Sequence, residues 1–136
     1  FNEINTLRRD PRMPYRVKRK SRFSNYWFSS SDGQSVREFS NLISKDNVDR
    51  LADECGVCIV YTHFASDFAI DGRIDPEFER RLRYLVSKSD GWFVPVSTLL
   101  DHLRSQQSSS EDPGYAYRMG CNLSWTYERF KKRLKQ

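Results

Sequence analysis

The residue best placed to do chemistry in this 136-residue chain is His63. It ends the apolar run Val57-Cys58-Ile59-Val60-Tyr61-Thr62 and opens a polar stretch, 63–75, that carries Asp67 and Asp71. An imidazole titrates near neutrality, so it can give up or take a proton under ordinary conditions. A carboxylate in the following loop would orient it, and Asp67 and Asp71 are the candidates. The plainer alternative is a strand-end histidine that hydrogen-bonds a backbone carbonyl. His102 falls in a later helical pattern and reads as a surface residue.

The cysteines offer two further patterns. Cys55-Gly56-Val57-Cys58 has C-x-x-C spacing. A redox site of that kind places its first cysteine at a helix N-terminus, whose partial positive charge stabilises the thiolate. Here Cys55 closes a helical pattern and Cys58 lies inside the apolar run, so both read as packing residues. With His63 the spacing becomes C-x2-C-x4-H, but Phe68 stands where a zinc knuckle needs its fourth ligand. No metal or other cofactor is expected in this chain. No G-x-S-x-G, P-loop or G-x-G-x-x-G occurs, which removes support for serine hydrolase and nucleotide-binding readings.

The elements that must position His63 follow from periodicity. The 57–63 run is short, β-branched and almost continuously apolar, the pattern of a strand buried on both faces in a parallel sheet. Val48, Leu51, Ala52 and Cys55 recur at spacings of three and four, predicting a helix over 47–55, capped by Ser44 or Asp46 and stopped by a left-handed Gly56. Pro76 suits a first helical turn, and Phe78, Leu82, Leu85 and Val86 form the stripe of a helix ending at Asp90-Gly91. Trp92–Val96 reads as a strand interrupted or edged by Pro95, followed by a helix capped by Ser97 or Thr98. Together 57–96 predicts a βαβ unit. Upstream, 25–29 reads as another strand, followed by a helix with Val36, Phe39, Leu42 and Ile43 on one face. This order argues for an α/β fold with a parallel sheet. His63 then stands at the carboxyl end of a strand, where such folds open their functional crevice.

Composition sets the frame. Hydrophobic residues are 38%, charged residues 30%, and nineteen aromatics are too many for a wholly disordered chain. No apolar run reaches the roughly 18 residues of a membrane span. No signal peptide is visible, and three cysteines make no disulfide framework. The net charge of +5 is uneven: residues 1–23 carry +6 and residues 128–136 carry +4, leaving −5 for the remainder. The expected organisation is a basic arm or severed connector over 1–24, an α/β region over 25–106, which the resemblance described next makes a partial barrel, a linker over 107–121 and a basic helix over 122–136.

Val57–Phe64, the following loop, the Phe78…Leu82…Leu85 stripe and Asp90-Gly91-Trp92-Phe93-Val94-Pro95-Val96-Ser97-Thr98-Leu99-Leu100-Asp101 resemble the C-terminal part of polysaccharide deacetylases, the NodB-homology proteins of carbohydrate esterase family four. The resemblance spans about 48–104. It implies a distorted (β/α) barrel that removes acetyl groups from sugar polymers, with a divalent, zinc-like metal activating water. His63 matches the family histidine that protonates the leaving group, with Asp67 as its orienting neighbour. Tyr61 stands where the family has an acetate-pocket leucine, and Tyr61 and Phe64 are the expected substrate-binding positions. Arg12-Met13-Pro14-Tyr15 matches the family's Arg-x-Pro-aromatic motif only superficially, standing 51 positions before His63.

The family's paired aspartates and His-x-x-x-His metal ligands have no counterpart here. The chain therefore reads as an incomplete barrel, inactive alone, whose expected partners are a glycan substrate and the missing N-terminal half of the barrel. Neither nucleic acid nor a membrane is an expected partner. The rival readings are a small basic module that binds nucleic acid or another polyanion through Arg16–Arg22 and the terminal helix, and a non-catalytic deacetylase-like scaffold.

Overall fold

The computed structural model describes residues 2–109 and 111–134. They divide into two compact units: one holds residues 2–6 and 30–93, the other residues 7–29, 94–109 and 111–134. Among the described residues the strands form two two-stranded sheets, one parallel and one antiparallel, with no barrel closure. No described helix is long and apolar enough to cross a membrane.

The first unit is built on β1 (Ser31–Asp32) and β2 (Val60–Tyr61), which run parallel with Ser31 opposite Val60 and Asp32 opposite Tyr61. The crossover between them consists of two helices, α2 (Val36–Leu42) and α3 (Lys45–Asp53). Ser35 caps α2 by accepting a hydrogen bond from the Glu38 N–H at 3.3 Å, and the Glu38 carboxylate accepts from the Gln34 N–H at 3.2 Å. Ile4, Leu42, Ile43 and Val48 form the buried core, with Phe39, Leu51, Cys58, Val60, Leu82, Tyr84 and Leu85 packed against it. After β2 comes a hairpin, β3 (Ala69–Ile70) and β4 (Arg73–Ile74), joined by Asp71-Gly72. Both turn residues have positive φ, 51° and 74°, the requirement of a type I′ turn and the reason Asp-Gly suits it. Asp75 then caps α4 (Pro76–Val86), accepting from the Phe78 N–H at 2.8 Å, with Pro76 in the first turn.

Several sequence expectations change here. The partner of β2 is not the 25–29 segment but Ser31–Asp32, within the serine-rich stretch. Ser31 is small enough to be buried completely, its hydroxyl donating to the Glu3 carbonyl. The βαβ unit expected over 57–96 does not form, since Trp92 and Phe93 are exposed and lie in no strand. Pro95 has no N–H to give a ladder, and it begins a helix instead: Leu99 N–H bonds its carbonyl at 3.1 Å, so α5 (Val96–Gln106) starts before Ser97 and Thr98. The stop of α3 is shifted by one residue. Cys55, at φ 47°, takes the left-handed position, with Cys55 N–H bonding Ala52 O at 3.0 Å and Gly56 N–H bonding Leu51 O at 2.9 Å. Gly56 is needed for space, since a Cβ there would lie 2.5 Å from the Asn5 amide nitrogen. That close approach stitches the N-terminal residues to the core: Val57 N–H bonds Asn5 Oδ1 at 3.2 Å, and Thr6 N–H bonds Val57 O at 2.8 Å.

The second unit contains most of α1 (Thr6–Arg9), a 3-10 turn (Lys18–Lys20), α5 and α6 (Tyr115–Arg133). In the 1–24 segment, read from sequence as a basic arm or severed connector, Met13, Pro14, Tyr15 and Val17 are buried while Arg12, Arg16 and Lys18 are exposed. Met13, Tyr15 and Val17 alternate with exposed or proline positions, the period-two signature of an extended segment with one covered face, which a charge sum conceals. The expected 107–121 linker ends early. Gly114, at φ 89°, breaks the chain direction, and α6 begins at Tyr115 rather than at 122, with 19 residues.

Candidate functional site

His63 lies two residues beyond β2, where the ladder with β1 closes: Ser31 N–H donates to Ile59 O at 2.7 Å, Gly33 N–H to Tyr61 O at 3.0 Å, and His63 N–H to Gln34 O at 3.4 Å. The backbone of His63 is thus tied to the segment that follows β1, while its ring is exposed. Side chains two apart on an extended chain point the same way. Accordingly the Tyr61 hydroxyl sits 3.1 Å from His63 Nε2, with the rings edge to face and their centroids 5.0 Å apart. Tyr61 itself remains 51% exposed.

The imidazole's hydrogen-bond partner is therefore Tyr61, not Asp67. Ser66 N–H returns to His63 O at 2.9 Å and turns the chain, and Asp67 follows, exposed and left-handed at φ 64°. Asp67 makes no hydrogen bond or ion pair to the imidazole, and Asp71 is occupied as a hairpin turn residue. Phe64 is 66% exposed and sits edge-on to Phe68 and Phe78, at 5.1 and 6.5 Å between centroids. Phe68 and Phe78 are buried and pack against Phe39, so Phe64 is the open end of an aromatic stack rooted in the core. The structure thus brings His63 and Tyr61 together, leaves Phe64 as an apolar platform next in sequence, and keeps Asp67 out of hydrogen-bonding contact with the ring.

The cysteines are free thiols. Cys58 packs on the core, and burial pushes its thiol up to about 12, the opposite of what a redox or metal-binding thiolate needs. Among the described residues, no group of three or more His, Cys, Asp or Glu side chains is placed to hold a metal ion. The divalent metal that the family resemblance implies does not fit the residues of this chain.

In the second unit the structure gathers a polar cluster that periodicity did not reveal. Asp10 is fully buried, and its carboxylate accepts from the Tyr117 hydroxyl at 2.6 Å and the Ser29 hydroxyl at 2.7 Å. Tyr15 packs edge-on to Tyr117 at 6.0 Å. Burial, and then the Asp10 charge, push Tyr15 up to about 12, and burial with the Asp10 hydrogen bond holds Tyr117 far above the ordinary phenol range. The Arg12 guanidinium lies over the Tyr117 ring at 5.4 Å, and Gln107 donates to Met13 O at 2.7 Å. Phenols that resist ionisation are poor proton donors, and the hydrogen bonds of the cluster tie residues 10–13 to α6 and to the end of α5. Its one sequence signal is Asp10 itself, the only acidic residue between Glu3 and Asp32. No known family's sequence profile, no curated protein and no solved structure matches this chain.

Proposed function

We propose that this chain is the histidine-bearing part of a polysaccharide-deacetylase-like carbohydrate esterase, with His63 as the general acid. The observation that carries the reading is the exposed His63 ring at the carboxyl end of a parallel strand, with a hydroxyl on its Nε2 and an exposed aromatic platform beside it in sequence. The motif resemblance over about 48–104 points to the same residue. In this role a protonated His63 gives its proton to the departing sugar nitrogen or oxygen as the bond to the acyl carbon breaks, releasing acetate and the free amine or hydroxyl. Tyr61 is the positioning residue for the ring, in place of Asp67. Phe64 supplies an apolar face against which a pyranose ring can stack.

Among the described residues no cluster is placed to hold a metal, so no water-activating step is assigned to this chain. That step belongs to the portion that would complete the barrel and cover the open edges of the two-stranded parallel sheet. The test is hydrolysis of an acetylated glycan by the full-length parent, with His63 intact and as His63→Ala. A loss of about 100- to 10,000-fold is expected for an acid that acts in the rate-limiting step. Unchanged turnover would remove His63 as the general acid, and absence of turnover in the unsubstituted parent would leave a non-catalytic scaffold.

A further inference from the structure

The segment between Tyr15 and Trp27 is an ordered cationic loop. Tyr15 and Trp27 exchange two backbone hydrogen bonds, at 3.0 and 2.8 Å, which close it like the base of a hairpin. Inside, Val17 is buried and the 3-10 turn is held by Lys20 N–H to Val17 O at 2.8 Å and Phe23 N–H to Lys20 O at 2.9 Å. The loop presents Arg16, Lys18, Arg19, Lys20 and Arg22 to solvent. No acidic residue occurs between Asp10 and Asp32, and among the described residues no carboxylate pairs with Lys18, Arg19 or Arg22. Five like charges within seven positions repel one another, and an anion laid across them relieves that repulsion.

The neighbouring rings narrow the class of anion. The guanidiniums of Arg16 and Arg104 each lie 5.1 Å from the Tyr26 ring centroid, and the Lys20 ammonium lies 4.7 Å from that of Trp27. Both rings are taken up in fixing cations, which leaves Phe23, 85% exposed, as a single open face in the loop, whereas single-stranded nucleic acid is held by a succession of them. The loop also presents neither a helix nor a strand pair to a DNA groove. What it offers is a fixed row of point charges, suited to a flexible chain with repeated sulfate or carboxylate groups.

We propose that the 16–26 loop binds an anionic polysaccharide. That the polyanion is a glycan rests on the esterase reading above, whereas the site itself does not. The experiment measures binding of the whole chain to heparin, to a neutral acetylated oligosaccharide and to duplex DNA, without any turnover assay. Heparin affinity should fall about 100-fold between about 50 and 200 mM salt, as expected for about four counterion-releasing contacts. The variant K18Q/R19Q/K20Q/R22Q should weaken it about 10-fold or more at low salt, while the charge-matched R129Q/K131Q/K132Q/R133Q should change it less than about 3-fold. In the unsubstituted chain, heparin should shield Lys18 and Lys20 from acetylation more than Lys131 and Lys132. Absence of heparin binding, equal losses in the two variants, or equal shielding at both places would overturn the site. Tighter binding to duplex DNA than to heparin would overturn the glycan. None of these outcomes bears on His63, so the esterase reading stands or falls separately.

Discussion

The hydroxyl of Tyr61 lies 3.1 Å from Nε2 of His63, and the two rings meet edge to face on the same side of the chain leaving β2. If Tyr61 positions the imidazole, Tyr61→Phe keeps the ring contact and removes only the hydrogen bond. In the full-length parent it should lower kcat by about 3- to 10-fold with KM unchanged, since one hydrogen bond is worth about 1 kcal/mol. In the His63→Ala background the same substitution should have no further effect. Additive losses in the double variant would show that Tyr61 acts elsewhere.

Asp67 provides the contrasting case. Its carboxylate makes no hydrogen bond or ion pair with the imidazole, so if His63 is the acid Asp67→Asn should leave turnover of the parent within about 2-fold of the unsubstituted protein, a surface substitution rarely exceeding about 0.5 kcal/mol. A loss comparable to that of His63→Ala would restore Asp67 as the orienting group.

The helix stop at the end of α3 separates two demands that usually fall on one glycine. Cys55 holds the left-handed φ of 47°, whereas Gly56 clears room for Asn5 and Leu51. Cys55→Gly should therefore be neutral or stabilising by up to about 1 kcal/mol, and Gly56→Ala should destabilise by about 2 kcal/mol or more through overpacking. Urea midpoints of the two variants check this. A harmless Gly56→Ala would mean that the Asn5 contact yields freely.

Thiol accessibility offers a direct reading of the same region. Cys55 is exposed, whereas Cys58 and Cys121 are both half-buried, Cys58 against the core. Under native conditions a thiol reagent should label Cys55 first, Cys121 more slowly and Cys58 only on unfolding, because reaction needs both access and the thiolate. Peptide mapping of the labelled sites gives the order, and early labelling of Cys58 would contradict its packing.

The Asp10 cluster predicts behaviour at alkaline pH. Burial, reinforced by Asp10, raises Tyr15 from 10.0 to about 12, so the unfolded chain releases that proton earlier than the folded one. Stability from this group is fully present below pH about 10 and is lost as pH rises towards about 12. Cys58, raised by burial from 9.0 to about 12, contributes in the same sense from a lower starting point. The urea midpoint should fall across this range, less steeply in Tyr15→Phe and unchanged in slope in Tyr127→Phe, whose ring is exposed. A flat profile would remove the buried phenol from the stability of this unit.

What the amino-acid order determined by itself was local. The stripes of α2, α3 and α4, the Pro76 start and the Asp71-Gly72 turn are each set by the spacing of a few neighbouring side chains, whereas the strand expected over 57–63 with both faces buried is reduced to Val60–Tyr61, with Tyr61 51% exposed. Pairing was decided by the tertiary structure. That β2 chooses Ser31–Asp32, that Trp92–Val96 stays unpaired, that Tyr61 rather than Asp67 meets the imidazole, and that Asp10 collects Ser29 and Tyr117 all depend on which segments meet in space. A two-residue strand carries almost no periodicity, and a lone aspartate in a basic run carries none. Their positions follow from the burial of distant partners, because a backbone or carboxylate removed from water takes whatever donors the packed chain brings to it.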